Sequence, residues 1–275
     1  MPVVVVTDAS ARLPADLLEK WAIRVVPLHI LLDGRDLRDG VDDIPEDIYS
    51  QHATTAAATP AELANVYQQA LAESGGDGVV AVHISSALSG TCGAAERTAA
   101  DLDPHIRVVD SRSAAMGIGF VALAAARDAA GGGDLEAVAD AARSAVPRTH
   151  AFVVVHRLEN LRRSGRIGGA KAWLGTALSL KPLLRIDDGK LVLAQRVRTA
   201  THATETMVDR VCEVVGEGPA ALAVHHVANP DGAKDVAAAL ARRLPACEPA
   251  IVTELGPVLA LHVGPGAVAV CLQLP

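Results

Sequence analysis

Aromatic residues are nearly absent: two Trp, two Tyr and two Phe make up 2% of the 275 residues. Such a chain has little with which to stack unpaired bases. Basic residues are also in deficit, 25 Lys and Arg against 32 Asp and Glu, for a net charge of −7. A nucleic-acid surface needs the opposite balance, so no nucleic-acid partner is expected. Cysteine is sparse, at positions 92, 212, 247 and 271 with no C-x-x-C pair. That scatter suits reduced thiols in a cytosolic protein better than a disulfide framework or a zinc site, so no metal is expected. No apolar run approaches the ~18 residues of a membrane span. The start, Met1-Pro2-Val3-Val4-Val5-Val6-Thr7-Asp8, lacks the positive region and small-residue cleavage site of a secretory signal. The expectation is a soluble, cytoplasmic protein with no integral membrane contact.

What the chain does have is aliphatic residues. Half of it is hydrophobic, enough for the core of one large α/β domain or two smaller ones. The run Gly78-Val79-Val80-Ala81-Val82-His83-Ile84 predicts a buried parallel strand. Residues 91–102 (TCGAAERTAADL) predict a helix. Between them lies Ser85-Ser86-Ala87-Leu88-Ser89-Gly90-Thr91, four hydroxyls in seven residues. A strand–turn–helix unit leaves the first helical N–H groups without intrahelical partners, beside the positive end of the helix dipole. Gly90 permits close backbone approach, and Ser85, Ser86, Ser89 and Thr91 add hydroxyl donors. The turn reads as an anion cradle; equally, these side chains can do no more than cap a helix. It is not a Walker A loop, because no Gly-Lys-Ser/Thr follows, and its spacing differs from G-x-G-x-x-G.

Taken in order, residues 3–7 predict a first strand, and Asp8 and Ser10 after it can bond nearby amides. A short helix over 15–22 and a strand over 23–32 follow, closed by the hairpin-type turn Asp33-Gly34. Asp36, Asp39, Asp42 and Asp43 read as a solvated acidic turn, since they lack the Gly and closing Glu of a calcium loop. Thr59 and Pro60 open a helix over 61–74, which leaves Thr54 and Thr55 in a solvated loop. After a strand over 106–110 comes an apolar helix holding Gly117 and Gly119. Each glycine costs ~1 kcal/mol relative to Ala there, which points to close packing against another backbone or a ligand. A helix over 134–145 follows. Beyond residue 150 come a strand over 151–155, an arginine-rich run from His156 to Ile167, and a hairpin of 181–186 and 190–197 through Asp187-Asp188-Gly189. Helices over 201–215 and 231–244 then alternate with strands over 220–225, 250–253 and 268–274. Strands alternating with helices up to residue 150 predict a parallel sheet, and the later hairpin a mixed one. The expected organisation is an N-terminal α/β domain over 1–150 carrying the cradle and a mixed-sheet α/β domain over 151–275.

These pieces, in this order and spacing, resemble the DegV family of bacterial fatty-acid-binding proteins. The likeness runs almost end to end. It is carried by residues 7–14 (TDASARLP), ISSALSGT, Asp110-Ser111-Arg112-Ser113-Ala114 with its glycine-bearing helix, and LENLRRSGRI. It continues through Ser179-Leu180-Lys181-Pro182-Leu183-Leu184, Arg196-Val197-Arg198 and His262-Val263-Gly264-Pro265-Gly266. The resemblance implies a two-domain fold, a parallel-sheet three-layer unit and a mixed-sheet unit with the ligand between them. It implies no cofactor; the ligand is one long-chain fatty acid, its tail buried and its carboxylate presented to a separate fatty acid kinase that makes the acyl phosphate. Carried over by position, the carboxylate residues are Thr55, Ser89, Gly90, Arg166 and His262, and Arg198 is the kinase-docking residue. The chain departs from the family where Thr55-Ala56-Ala57-Ala58 replaces a common Thr-Ser-Gln-Pro. Cys92 stands where an aromatic is common, Thr199 replaces a usual Gly and Val263 a usual Thr.

The chemistry is coherent by itself. Burying each methylene contributes ~0.8 kcal/mol, so a long tail supplies about 10 kcal/mol before ordering costs, and the head group sets orientation. Residues 116–120 with Trp173, Leu174 and Leu178 are candidate tunnel residues. The competing class is a serine-dependent acyl hydrolase using Ser89 and His262 with an Asp such as Asp110, although no G-x-S-x-G elbow is present. A sugar- or phosphate-binding module is a third reading of the same cradle.

Overall fold

Alternation along the strands assigns each residue to a layer. In the computed structural model, which describes residues 2–167 and 181–275, β1 (Val4–Asp8) pairs in parallel with β2 (Arg24–Val26). A separate antiparallel sheet, in the order β4-β3-β5, is formed by β3 (His29–Leu32), β4 (Arg35–Arg38) and β5 (Thr54–Ala56). The first sheet is completed by β6 (Val79–His83) and β7 (Ile106–Asp110), giving the all-parallel order β2-β1-β6-β7.

Five helices accompany these strands: α1 (Ala15–Lys20), α2 (Pro60–Ser74), α3 (Thr91–Leu102), α4 (Met116–Ala130) and α5 (Leu135–Ala145). On β1 and β6, Val6, Val79 and Ala81 pack under α2 and α3, while Val5, Val80 and Val82 face α4 and α5. This is the two-residue side-chain period of a strand buried on both faces.

The second large sheet is six-stranded and mixed, in the order β10-β9-β8-β13-β11-β12. Its strands are β8 (Thr149–Val154), β9 (Lys181–Asp187), β10 (Lys190–Val197), β11 (Ala221–His226), β12 (Ile251–Glu254) and β13 (Val268–Gln273). Among the described strand pairs of this sheet β11 and β12 run parallel and the rest antiparallel. Its helices are α6 (Glu159–Ser164), α7 (Ala200–Val215), α8 (Pro230–Arg243) and α9 (Pro257–Val263). Phe152, Val154, Val268, Val270 and Leu272 turn toward α7 and α8, whereas Ala151, Val153, Ala269 and Cys271 turn inward.

Helix α4 lies between the two large sheets, touching β1 and β6 on one side and β8 and β13 on the other. From Met116 to Ala126 it is apolar all round, as expected of a core helix, and only its last turn, with Arg127 and Asp128, reaches solvent. The glycines follow from that crowding. A Cβ on Gly117 would collide with the Ser113 side chain, and one on Gly119 would come within 3.1 Å of the Ala11 carbonyl oxygen.

Three expectations are corrected. The predicted strand over 23–32 breaks at Pro27, which has no N–H for a ladder; β2 joins the parallel sheet and β3 the small one. Thr54 and Thr55 are not loop residues but β5, paired with Leu31 and Ile30. Within the acidic turn Asp39 is buried, 4% exposed, and lies 3.6 Å from the Arg12 guanidinium. Burial pushes its carboxyl up to about 6.

Candidate functional site

In the sheet order β2-β1-β6-β7 the connections from β1 and β6 run to opposite sides. That makes a switch point at the carboxyl ends of these strands, where open α/β sheets leave a crevice. The loop after β6, residues 84–90, sits there. It is pinned by Ile84 N–H donating to Asp8 Oδ2 at 2.9 Å and by Ser85 N–H donating to the Ser113 carbonyl at 3.0 Å. Asp8 is itself buried beside His83 Nδ1 at 3.1 Å, and His83 Nε2 meets the Tyr67 hydroxyl at 2.8 Å. A closed polar network of this kind fixes the loop's root.

The four hydroxyls of the loop divide by role. Ser85 donates to the Gly189 carbonyl at 2.8 Å and Ser86 to Asp110 Oδ2 at 2.6 Å. Both are therefore structural rather than part of a cradle. Thr91 is buried, with Ser89 Oγ 3.0 Å from its hydroxyl and accepting its N–H at 3.3 Å. Only Ser89 reaches the cavity that opens in front of α3. A Cβ on Gly90 would meet no protein atom within 4 Å, so the space before this residue belongs to the cavity.

Thr55, Ser89, Gly90, Arg166 and His262 all line this cavity. They come from four parts of the fold. Thr55 sits on β5, Ser89 and Gly90 precede α3, Arg166 follows α6, and His262 lies near the end of α9. His262 Nε2 is 2.9 Å from Thr55 Oγ1, while its Nδ1 is buried with no hydrogen-bond partner among the described residues. Burial, reinforced by the nearby Arg166 charge, holds the His262 imidazole down at about 4; the ring is neutral at physiological pH. Arg166 donates from Nε to the Leu88 carbonyl at 3.3 Å and from a terminal nitrogen to the Ser164 carbonyl at 2.5 Å. Among the described residues no carboxylate pairs with it.

The rest of the lining is apolar. Ala151 and Val153 of β8 stand beside Cys271 and Ala269 of β13 in register, forming one wall of small side chains. Ile84, Leu88 and Ala115 from the first half, Leu161 of α6, and Ile186 and Leu191 of the β9–β10 hairpin complete much of it. Of the residues expected along a tunnel, Met116 and Phe120 are core residues of α4. Trp173, Leu174 and Leu178 lie outside the described residues.

Asp110 does not join this group. Its carboxylate accepts from Ser86 and from the Arg112 N–H at 2.8 Å. Arg198 stands apart as well, exposed just beyond β10, with no hydrogen bond or ion pair among the described residues. One supporting residue had no sequence signal. His225 Nε2 accepts the first N–H of α4, from Met116, at 3.3 Å. Its Nδ1 faces Thr253 Oγ1 at 2.9 Å. Burial, with Arg12 and His226 nearby, pushes His225 down to about 3, so the neutral ring accepts at Nε2 and donates from Nδ1. It sets α4 where Ala115, at a positive φ of 53°, reaches the cavity.

Fold and site together define an α/β protein of two large sheets around an apolar cavity that is polar at one end. The chain belongs to the DegV family: the family model described as "Uncharacterised protein, DegV family" matches residues 2–274. A DegV domain-containing protein of Mycobacterium tuberculosis is 73% identical over 274 residues, spanning 100% of this chain and 98% of the relative. Among solved structures, a DegV family protein from Thermus thermophilus described for its fatty acid binding is 34% identical, with a TM-score of 0.90 and 100% of both chains covered. DegV from Bacillus subtilis, a fatty acid binding protein, is 27% identical, again with a TM-score of 0.90 and full coverage of both chains.

Proposed function

We propose that this chain binds one long-chain fatty acid in the cavity between its N-terminal half, residues 1–150, and its C-terminal half, residues 151–275, and presents the carboxylate to a cytoplasmic fatty acid kinase. The observation that carries the reading is the cavity's polarity. Apolar side chains line most of it, and a guanidinium without a carboxylate partner among the described residues stands at its polar end beside Ser89 and the Thr55–His262 pair. Arg166 supplies charge, which strengthens hydrogen bonds to a carboxylate. With the proton of neutral His262 on Nε2, that nitrogen donates to Thr55 Oγ1, and the threonine's own proton is released for the ligand. The amides opening α3 add donors at Gly90 and beyond. Two relatives of this fold that bind fatty acids, from T. thermophilus and B. subtilis, support the ligand class. Presentation to the kinase through Arg198 rests on the sequence resemblance and on that residue's free, exposed position.

A hydrolase would need Ser89, His262 and an acid in relay. Here Asp110 is engaged by Ser86 and Arg112, and His262 by Thr55. The deciding experiment is solvent extraction of the purified protein followed by mass spectrometry, with acyl-ester turnover assayed in parallel. One unmodified fatty acid per chain is expected. Protein that neither carries nor takes up a long-chain fatty acid would overturn the reading, as would ester turnover abolished by Ser89→Ala.

A further inference from the structure

On β3, the strand paired with β5, the side chain of His29 is buried, 5% exposed, with a carboxylate at each ring nitrogen. Nδ1 lies 2.7 Å from Asp36 Oδ1 on β4, and Nε2 lies 2.6 Å from Glu62 Oε2 on α2. A neutral imidazole has one N–H and one bare lone pair. At these distances a bare nitrogen would turn its lone pair on a carboxylate oxygen, so beside two ionised carboxylates the geometry favours a proton on both nitrogens. Burial opposes the charge, but the hydrogen bonds and charges of Asp36 and Glu62 outweigh it and raise the group above its usual range.

The clamp bears on the segment that carries Thr55. His29 is the register partner of Ala56, and Ile30 that of Thr55 itself. Glu62 Oε2 also accepts from the Thr59 N–H at 3.1 Å and from the Thr59 hydroxyl at 2.6 Å, the capping box that starts α2. One imidazolium therefore holds the strand beside Thr55 and, through Glu62, the cap three residues past Ala56. Ala56 and Ala57, between those two anchors, line the cavity.

We propose that His29, held as an imidazolium between Asp36 and Glu62, is a positioning residue for Thr55, so that the grip on an anionic ligand loosens as pH rises and the ring loses its proton. This rests on the carboxylate-binding reading above. Deprotonation leaves one nitrogen facing a carboxylate that it can no longer satisfy, and either β4 or the start of α2 must give way. Other charges around the ring are Arg35 and Arg38 on β4 and Asp42 and Asp43 in the loop beyond. Arg38 is tied to Asp42 at 3.0 and 3.1 Å, which leaves Asp36 and Glu62 as the dominant partners. His262 is held near 4 and does not titrate in this range. Asp39, near 6, titrates at its lower edge in every variant alike.

The test measures displacement of dansyl-labelled undecanoate by oleate from about pH 6 to about pH 9. It is run on the wild-type chain, His29→Gln and Asp36→Asn, with ring-nitrogen NMR of the protein free of lipid. Wild-type affinity should weaken at least about fivefold across the range. Asp36→Asn, a change at an exposed side chain, should keep the fold and move the midpoint to lower pH; His29→Gln should flatten the profile. NMR should find both His29 nitrogens protonated at neutral pH, and the His262 ring signal should shift at the His29 midpoint. A bare His29 nitrogen at neutral pH, or identical pH profiles for wild type and Asp36→Asn, would overturn the proposal. If the probe fails to bind at every pH, the fatty-acid reading falls, while the NMR coupling between His29 and His262 still decides the positioning role.

Discussion

Thr55 Oγ1 and His262 Nε2 lie 2.9 Å apart across a chain separation of 207 residues. One comes from the small sheet attached to the N-terminal half, the other from a short helix packed against α6 in the C-terminal half. The polar end of the cavity therefore exists only when the two halves are docked. A histidine in that seam is desolvated by both, which accounts for its low basicity.

Replacing Ser89 by Ala should weaken fatty-acid binding and leave the fold intact. Its hydroxyl bonds only Thr91 among the described residues, so little structure depends on it. A hydrogen bond to a charged group contributes about 1.5–3 kcal/mol, so the loss should be about tenfold or more in a displacement assay. Unchanged affinity would remove Ser89 from the carboxylate site.

Arg198→Ala should leave oleate affinity within about twofold and slow phosphorylation by a cognate fatty acid kinase about tenfold or more. The side chain is exposed and stands away from the cavity lining, so the two readouts should separate. A parallel fall in both, or no change in either, would end its docking role.

Acid should destabilise the protein in a defined window. His262 and His225 sit at about 4 and about 3 in the fold, below the ordinary 6.5. Below pH 6.5 the unfolded chain takes up protons that the folded chain refuses. Stability then falls as pH drops toward 4, by at most ~1.4 kcal/mol per pH unit for each ring, and these groups contribute no slope above 6.5. Urea midpoints at stepped pH should fall less steeply in His262→Gln. Parallel curves for the two proteins would contradict the assigned basicity.

Gly117→Ala should destabilise the chain although alanine is the better helix former. The added methyl enters the space of the Ser113 side chain, and overpacking costs about 1–3 kcal/mol against the ~1 kcal/mol gained in propensity. Urea denaturation measures the balance; a variant as stable as wild type would show that Ser113 moves aside freely.

Filling the wall should select against long tails. Ala151→Leu places extra carbons beside Cys271 on the cavity face. Oleate affinity should drop while decanoate is retained and the thermal midpoint changes little. Equal losses for both acids would mean that this wall does not meet the tail.

The sequence by itself determined the layers. Valine-rich runs became β1 and β6, residues 91–102 became α3, and the glycines of α4 pointed to close packing of that helix. Local chemistry suffices there, because strand period, helix propensity and steric intolerance are written in neighbouring residues. It also placed Ser89 and Gly90 before a helix, and resemblance added Thr55, Arg166 and His262. Only tertiary structure decided which hydroxyls face the cavity: Ser85 and Ser86 look like Ser89 in the chain but are consumed by Gly189 and Asp110. The same holds for Asp39, buried against Arg12, for His225 beneath α4, and for His29 between two carboxylates. Each of those roles depends on partners brought in by docking of separate elements, and no spacing along the chain encodes such a contact.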